Sequence, residues 1–282
     1  RAGERIGEPE AVRLKRAAPA TVEESRRGRL FALVVGISQY AARDLRLQFA
    51  DRDAELFARA LEHQKGSGLY ADVQVRPLVN GAAHSRAIKE GLEWLFSNVG
   101  EKDTAMVFLS GHGMLDERGR FYFLGVRSDP SSLWGTAVSH DDIRYALRNI
   151  KGSAILFIDA CHSGGVFGAK GDNVDLKKIA SDFGDDRGIA TFVASTGKQF
   201  SREDPDWQNG AFTKALVEGL GMQGQKSLAA DRAGVRITTS RLDAYVTGRV
   251  KELTQKFSKA GEASQTPMLI RNVPDFELAV AR

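Results

Sequence analysis

Four short, almost wholly apolar runs interrupt this chain, at residues 30–37, 105–109, 154–158 and 189–194, and amphipathic segments fill the intervals between them. Runs of this length bounded by glycine and polar residues are the pattern of strands buried on both faces. Between them, Ala50, Ala54, Phe57, Ala58 and Leu61 fall on one helical stripe. Ala87, Ile88, Leu92, Leu95 and Phe96 make a second stripe, and Leu242, Tyr245, Val246, Val250 and Leu253 a third. Residues 73–79 read as a strand that Pro77 places at a sheet edge. Residues 121–124 read as a short hairpin arm, residues 139–149 and 211–221 as helices, and residues 268–270 as a last strand. Strands alternating with helices predict an α/β fold, a mainly parallel central sheet of about six strands with helices on both faces. Ligands of such sheets bind beyond the carboxyl ends of the strands, so chemistry is sought just after the apolar runs.

At 282 residues the chain buries enough surface to need neither disulfide nor metal. Its one cysteine forms no internal disulfide and no multi-cysteine zinc site, which fits a reducing, cytoplasmic setting. No apolar run approaches the ~18 residues of a membrane span. The formal charge of +4 points less to nucleic acid than it suggests. Residues 1–29 hold eight Lys or Arg against five Glu, which is +3 of the total and leaves about +1 for the rest. Residues 1–28 are expected to be a basic tail or linker, with a sensor or repeat region upstream, and residues 29–282 one domain. Neither nucleic acid nor membrane is expected as a partner.

Two segments stand at the expected strand tips. One is Ser110-Gly111-His112-Gly113; the other is Asp159-Ala160-Cys161-His162-Ser163-Gly164. A lone cysteine is ordinarily a small buried hydrophobe, and a lone histidine ordinarily does nothing catalytic. Together, at successive tips, with glycines on either side of His112 and after Cys161, they read as a nucleophile–base pair with room for a substrate backbone. With strand periodicity carried to the tip, Ser110 and His112 share a face, as do Asp159 and Cys161. A carboxylate beside a thiol does not help deprotonate it; its better use is to hold a cation arriving with the substrate. His162, next in sequence to Cys161, faces the other way on this reading, which disfavours a zinc or redox site built on the two.

These motifs resemble the paired catalytic motifs of the caspase-like cysteine peptidases, particularly the metacaspase and bacterial caspase-homologue branch. Residues 34–37 resemble that family's first strand, and Ala50-Asp51-Arg52-Asp53-Ala54 its Asn-Asp-Ala helix opening. Ser195 through Gln199 to Glu203, Gly210-Ala211-Phe212-Thr213 and Gln265-Thr266-Pro267 resemble later motifs. The resemblance implies the caspase-hemoglobinase fold and hydrolysis of peptide or protein substrates. Cys161 would be the nucleophile, His112 the general acid/base, and the backbone N–H groups of Gly113 and Cys161 the oxyanion hole. It further implies an S1 pocket of Asp53, Ser110 and Asp159, hence cleavage after Arg or Lys. Arg52 and Ala50 depart from the family pattern.

The acidic run that binds activating calcium in many metacaspases is not matched at residues 116–119 or 129–130, so no metal or other cofactor is expected. The Asp182, Asp185 and Asp186 cluster reads as a solvated loop. The segment 166–188, carrying Lys170, Lys177, Lys178 and Arg187, is expected to divide a large-subunit-like part, 29–165, from a small-subunit-like part, 189–282, and to be a candidate for self-cleavage. A catalytically silent signalling or scaffold module is the alternative.

Overall fold

The expected alternation of strands and helices is realised in the computed structural model, which describes residues 27–162, 176–184, 188–195, 201–222, 225–255 and 265–282. Most of the basic tail, most of segment 166–188, Ser163, Gly164 and Gln199 lie outside these residues. In chain order the elements are β1 (Leu30–Gly36), α1 (Ala50–Glu62), β2 (Val73–Val79), α2 (Ser85–Asn98), β3 (Thr104–Leu115), β4 (Phe121–Phe123), α3 (Leu133–Thr136) and β5 (Val138–Ser139). Next come α4 (His140–Arg148), β6 (Ser153–His162), α5 (Leu176–Gly184), β7 (Ile189–Val193), β8 (Glu203–Asp204), β9 (Asn209–Gly210) and α6 (Ala211–Leu220). The chain then runs through β10 (Arg236–Thr238), α7 (Thr239–Gln255), β11 (Met268–Arg271) and β12 (Glu277–Val280).

The central sheet has the order β11-β7-β6-β3-β1-β2, with β4 and β5 extending from β3. Strands β1, β2, β3, β6 and β7 pair in parallel, and β11 closes one edge antiparallel to β7. Strand β2 forms the other edge, where Pro77 leaves no interior ladder bond unmade. Alternate residues feed two cores. Leu30, Ala32 and Val34, with Met106, Phe108, Ile155 and Phe157, pack under α1, α6 and α7. Phe31, Leu33 and Val35, with Val107, Leu109, Leu156 and Ile158, pack under α2, α4 and α5.

Three features depart from the sequence expectation. Strands β3 and β6 do not stop where their apolar residues end. Both ladders continue through the glycine-bearing motifs, so His112 and Cys161 are strand residues rather than loop residues. The backbone needs a partner, and β6 on one side and β4 on the other supply it as far as Leu115. Next, α5 lies in the segment read as a polar loop; Ile179, Ala180 and Phe183 recur at helical spacing and are buried. Finally, the small pairs β8–β9 and β10–β12 carry too few residues for a recognisable period.

Helix α1 approaches β1 closely enough to exclude a side chain at Gly36. A Cβ there would lie 2.3 Å from the Ala50 carbonyl oxygen and 2.4 Å from the Ala54 Cβ. This contact fixes the start of α1, including Asp53, against the sheet. Gly36→Ala is expected to destabilise the fold by about 1–3 kcal/mol, the usual cost of overpacking, in urea unfolding. Unchanged stability would show that α1 moves aside freely.

Candidate active site

The parallel ladder between β3 and β6 pairs Ser110 with Asp159, Gly111 with Ala160, His112 with Cys161 and Gly113 with His162. Two motifs nearly fifty residues apart in sequence are thereby set opposite each other on adjacent strands. Alternate positions of β3 run Met106, Phe108, Ser110, His112, and those of β6 run Ile155, Phe157, Asp159, Cys161. The series that builds the core beneath α1 and α6 thus passes into chemistry at its carboxyl end.

His112 is 4% exposed and tightly framed. Its Nε2 lies 2.8 Å from the Leu45 carbonyl oxygen. A carbonyl only accepts, so Nε2 carries the hydrogen, and in the neutral ring Nδ1 is then the proton acceptor. The Tyr40 hydroxyl accepts the His112 backbone N–H at 2.8 Å and donates to the Leu124 carbonyl at 3.4 Å. The Tyr40 and His112 rings are 5.1 Å apart, centre to centre. Gly111 makes this possible, since a Cβ there would lie 2.6 Å from the Tyr40 hydroxyl. The loop bearing Tyr40 is itself anchored. Asn80 Oδ1 accepts from the Ser38 and Gln39 N–H groups, and the Asp51 carboxylate accepts from Asn80 and Ser38.

Asp53, Ser110 and Asp159 are all buried, at 2%, 2% and 3% exposure. Asp53 comes from α1 and Asp159 from β6, and the two carboxylates converge on Gly210 of β9. A Cβ at Gly210 would sit 3.1 Å from Asp53 Oδ2 and 3.2 Å from Asp159 Oδ2. Ser110 is placed beside Asp159 by the ladder. Asp53 Oδ1 accepts from Asn209 Nδ2 at 3.2 Å and from the Gly210 N–H at 3.0 Å. Asp159 Oδ2 accepts from Thr213 at 3.4 Å, while its Oδ1 is sealed from solvent without a hydrogen-bond partner. Glu203 of β8 is a third carboxylate, turned toward the Gln48 and Phe49 backbone N–H groups.

Among the described residues, no Lys or Arg pairs with any of the three. Burial, followed by repulsion from Asp159, holds the Asp53 carboxyl well above the ordinary carboxylate range. Burial raises Asp159 to about 6. Burial, then Asp159, raises Glu203 to about 7. Carboxylates held close together away from water favour their neutral forms, because each ionisation is opposed by desolvation and by the neighbouring charge. The hairpin that brings Glu203 and Gly210 here is tied down by buried Gln265, which accepts from the Arg202 N–H and donates to the Ala194 carbonyl. Arg52, one of the departures from the family pattern, donates to Gln208 at the hairpin's turn. Asp116, in one of the segments weighed for calcium, has its carboxylate taken by Arg120 and by the Arg118 N–H.

Sequence reasoning placed His112 and Cys161 together, and Asp53 near Asp159. It did not find the Leu45 carbonyl, Tyr40 or the part played by Glu203. A backbone oxygen leaves no trace in residue identity, and the tyrosine lies 72 positions from its partner.

The fold belongs with the caspases. A crystal structure of caspase-1 from Spodoptera frugiperda superposes with a TM-score of 0.54 at 15% identity, covering 96% of each chain. A crystal structure of a protein from Geobacter sulfurreducens gives 0.56 at 15% identity, covering 89% of this chain and 94% of that one. The sequence profile of the caspase domain, peptidase family C14, matches residues 29–274, and the chain belongs to that family. Comparison with curated proteins gives no match. Members of the family are cysteine peptidases acting on protein substrates. No helix among the described residues is long and apolar enough to cross a membrane.

The raised carboxylates carry a stability consequence. A carboxyl whose pKa is higher folded than unfolded binds its proton more tightly in the folded state. It therefore favours folding at low pH and loses that benefit as pH rises through its folded value. Asp159→Asn stays neutral throughout. At pH 8 the variant is expected to be more stable than the wild type by up to about 3 kcal/mol in urea unfolding, with the gap closing below pH 4. Lower stability of Asp159→Asn at pH 8 would contradict the cluster's repulsive character.

Proposed function

We propose that this chain is a cysteine endopeptidase of the metacaspase-like branch that hydrolyses peptide bonds after Arg or Lys. The observation that carries the specificity is the buried Asp53–Asp159 carboxylate pair, which no Lys or Arg among the described residues meets, with the half-buried Glu203 beside it, next to the His112–Cys161 register. A P1 guanidinium or ammonium entering between Asp53 and Asp159 offsets their repulsion, with Ser110 as a hydrogen-bonding neighbour. Gly210 keeps that space free of side-chain atoms.

In the reaction, His112 Nδ1 takes the Cys161 thiol proton and the thiolate attacks the P1 carbonyl carbon. The oxyanion is held by the backbone N–H groups of Gly113 and Cys161. His112 then passes its proton to the amine as the C–N bond breaks, leaving a thioester on Cys161. Water attacks the thioester, His112 accepts its proton, and the thiol is restored as the acid leaves. Donation from Nε2–H to the Leu45 carbonyl keeps the ring in the tautomer this cycle uses and steadies the imidazolium. Tyr40 is a positioning residue that acts through the His112 backbone.

Cleavage within 166–188, separating residues 29–165 from 189–282, belongs to the same proposal. Lys177 and Lys178 are exposed but helical in α5, and a helical turn must unwind to enter a protease cleft. Cleavage after Lys177 or Lys178 is therefore expected to be slow.

An Arg-ended fluorogenic peptide is expected to exceed its Asp-ended counterpart by at least roughly 100-fold in kcat/KM. Like-charge juxtaposition costs several kcal/mol, and each 1.4 kcal/mol is tenfold. Cys161→Ala should abolish both turnover and the appearance of fragments on a denaturing gel. Preference for Asp overturns the pocket assignment. Turnover of neither substrate by folded protein favours a silent module, and identical intact bands for both proteins remove self-cleavage.

A further inference from the structure

Trp134, in the short helix α3, is 78% exposed, an unusual setting for the largest apolar side chain. It stands between two contiguous grooves of about 820 and 390 Å³, both of which it lines together with Arg120 and Tyr122. The Arg120 guanidinium sits 5.8 Å over the Trp134 ring while paired with Asp116 at 2.7 Å, so the indole is supported by a cation whose charge is already met. The larger groove is mixed in character: Met114, Leu115, Pro130 and Leu133 give it an apolar wall beside Trp134, and Asp116, Glu117, Arg118 and Asp129 form a charged rim.

The groove's position relative to the chemistry gives it an occupant. Strand β3 carries His112 and continues without a break through Met114 and Leu115, which pair with Tyr122 and Phe121 of β4. At about 3.3 Å per residue, these two wall residues lie roughly 7 and 10 Å beyond the histidine. His112 is the group that protonates the leaving amine, so the peptide attached to that amine departs on the histidine's side, away from the acidic cluster. An extended leaving segment advances by the same ~3.3 Å per residue, and its second and third residues arrive at the groove.

We propose that this groove is a primed-side subsite, taking a bulky apolar or aromatic residue at P2′ or P3′ of the substrate against Trp134. The inference rests on the peptidase reading above and extends it to the other side of the cleaved bond. The site is continuous with the catalytic strand, charge-neutral where Arg120 meets Asp116, and built around a rigid ring that loses little freedom on contact.

The test compares internally quenched peptides with Arg at P1 and either Phe or Gly at P2′ and P3′, alongside an Arg-aminomethylcoumarin substrate that ends at the cleaved bond. Wild type is expected to favour Phe over Gly by about tenfold in kcat/KM, the scale of burying part of one large side chain. Trp134→Ala should reduce that ratio to about one, and Trp134→Phe should largely restore it. Tyr145→Ala, removing another exposed aromatic outside both grooves, should retain the full ratio. A wild type indifferent to Phe, or a Trp134→Ala variant that keeps the preference, overturns the subsite while coumarin turnover leaves the peptidase reading standing. Turnover of no substrate overturns both.

Discussion

The arrangement depends above all on the register of one parallel strand pair. Strands β3 and β6 meet along ten consecutive pairs, from Thr104 with Ser153 to Gly113 with His162. Their inner halves are apolar and buried on both faces, so a one-residue slip would turn each core residue to the wrong helix layer. Core packing therefore fixes the pairing of His112 with Cys161 and of Ser110 with Asp159, although none of these four residues drives it. Van der Waals packing around Phe108 and Phe157, which both contact Phe57 of α1, holds the chemistry in place.

On this frame the acidic cluster is a stored electrostatic cost. Asp53 reaches it from a helix pressed onto β1 at Gly36, Asp159 from the end of β6, and Glu203 from a two-residue strand tied by Gln265. Asp53 also anchors the β8–β9 hairpin through Asn209 and the Gly210 N–H, whereas Asp159 Oδ1 makes no hydrogen bond. Burying them without a cation works against stability near neutral pH, and a fold bears such a cost where a ligand removes it. The histidine is treated in the opposite way. The Leu45 carbonyl takes its Nε2–H and the Tyr40 hydroxyl its backbone N–H, and the Asp51–Ser38–Asn80 network anchors the loop that carries Tyr40.

Much of this was legible in the sequence, for definite reasons. Fully apolar runs identify doubly buried strands, and helical stripes such as Ala54, Phe57 and Leu61 identify the layers over them, so the α/β architecture followed. The motifs at 110–113 and 159–164 marked His112 and Cys161 as a candidate pair, because a histidine between glycines and the chain's one cysteine fall at the ends of two buried strand runs, and the β3–β6 ladder sets the two opposite each other. Strand periodicity carried to the tips grouped Ser110 with His112 and Asp159 with Cys161, but how far the strands run past them was not legible, since glycine in a strand pattern more often marks a turn. Helix α5 was obscured by the lysines and aspartates around Ile179, Ala180 and Phe183. The hairpin carrying Glu203 and Gly210 is two residues per strand, below any detectable period, and its placement follows only from tertiary contacts with α1 and Gln265.

The most direct test uses the fact that Cys161 is the chain's one cysteine. Its rate of alkylation by iodoacetamide, followed across pH by intact mass, reports thiolate formation at that residue alone. If the β3–β6 register makes His112 its proton acceptor, the wild-type rate rises with an apparent pKa well below the ~8.5 of a free thiol, and His112→Ala returns it to about that value. Identical profiles for the two proteins, both climbing near 8.5, would contradict the pairing on which the account is built.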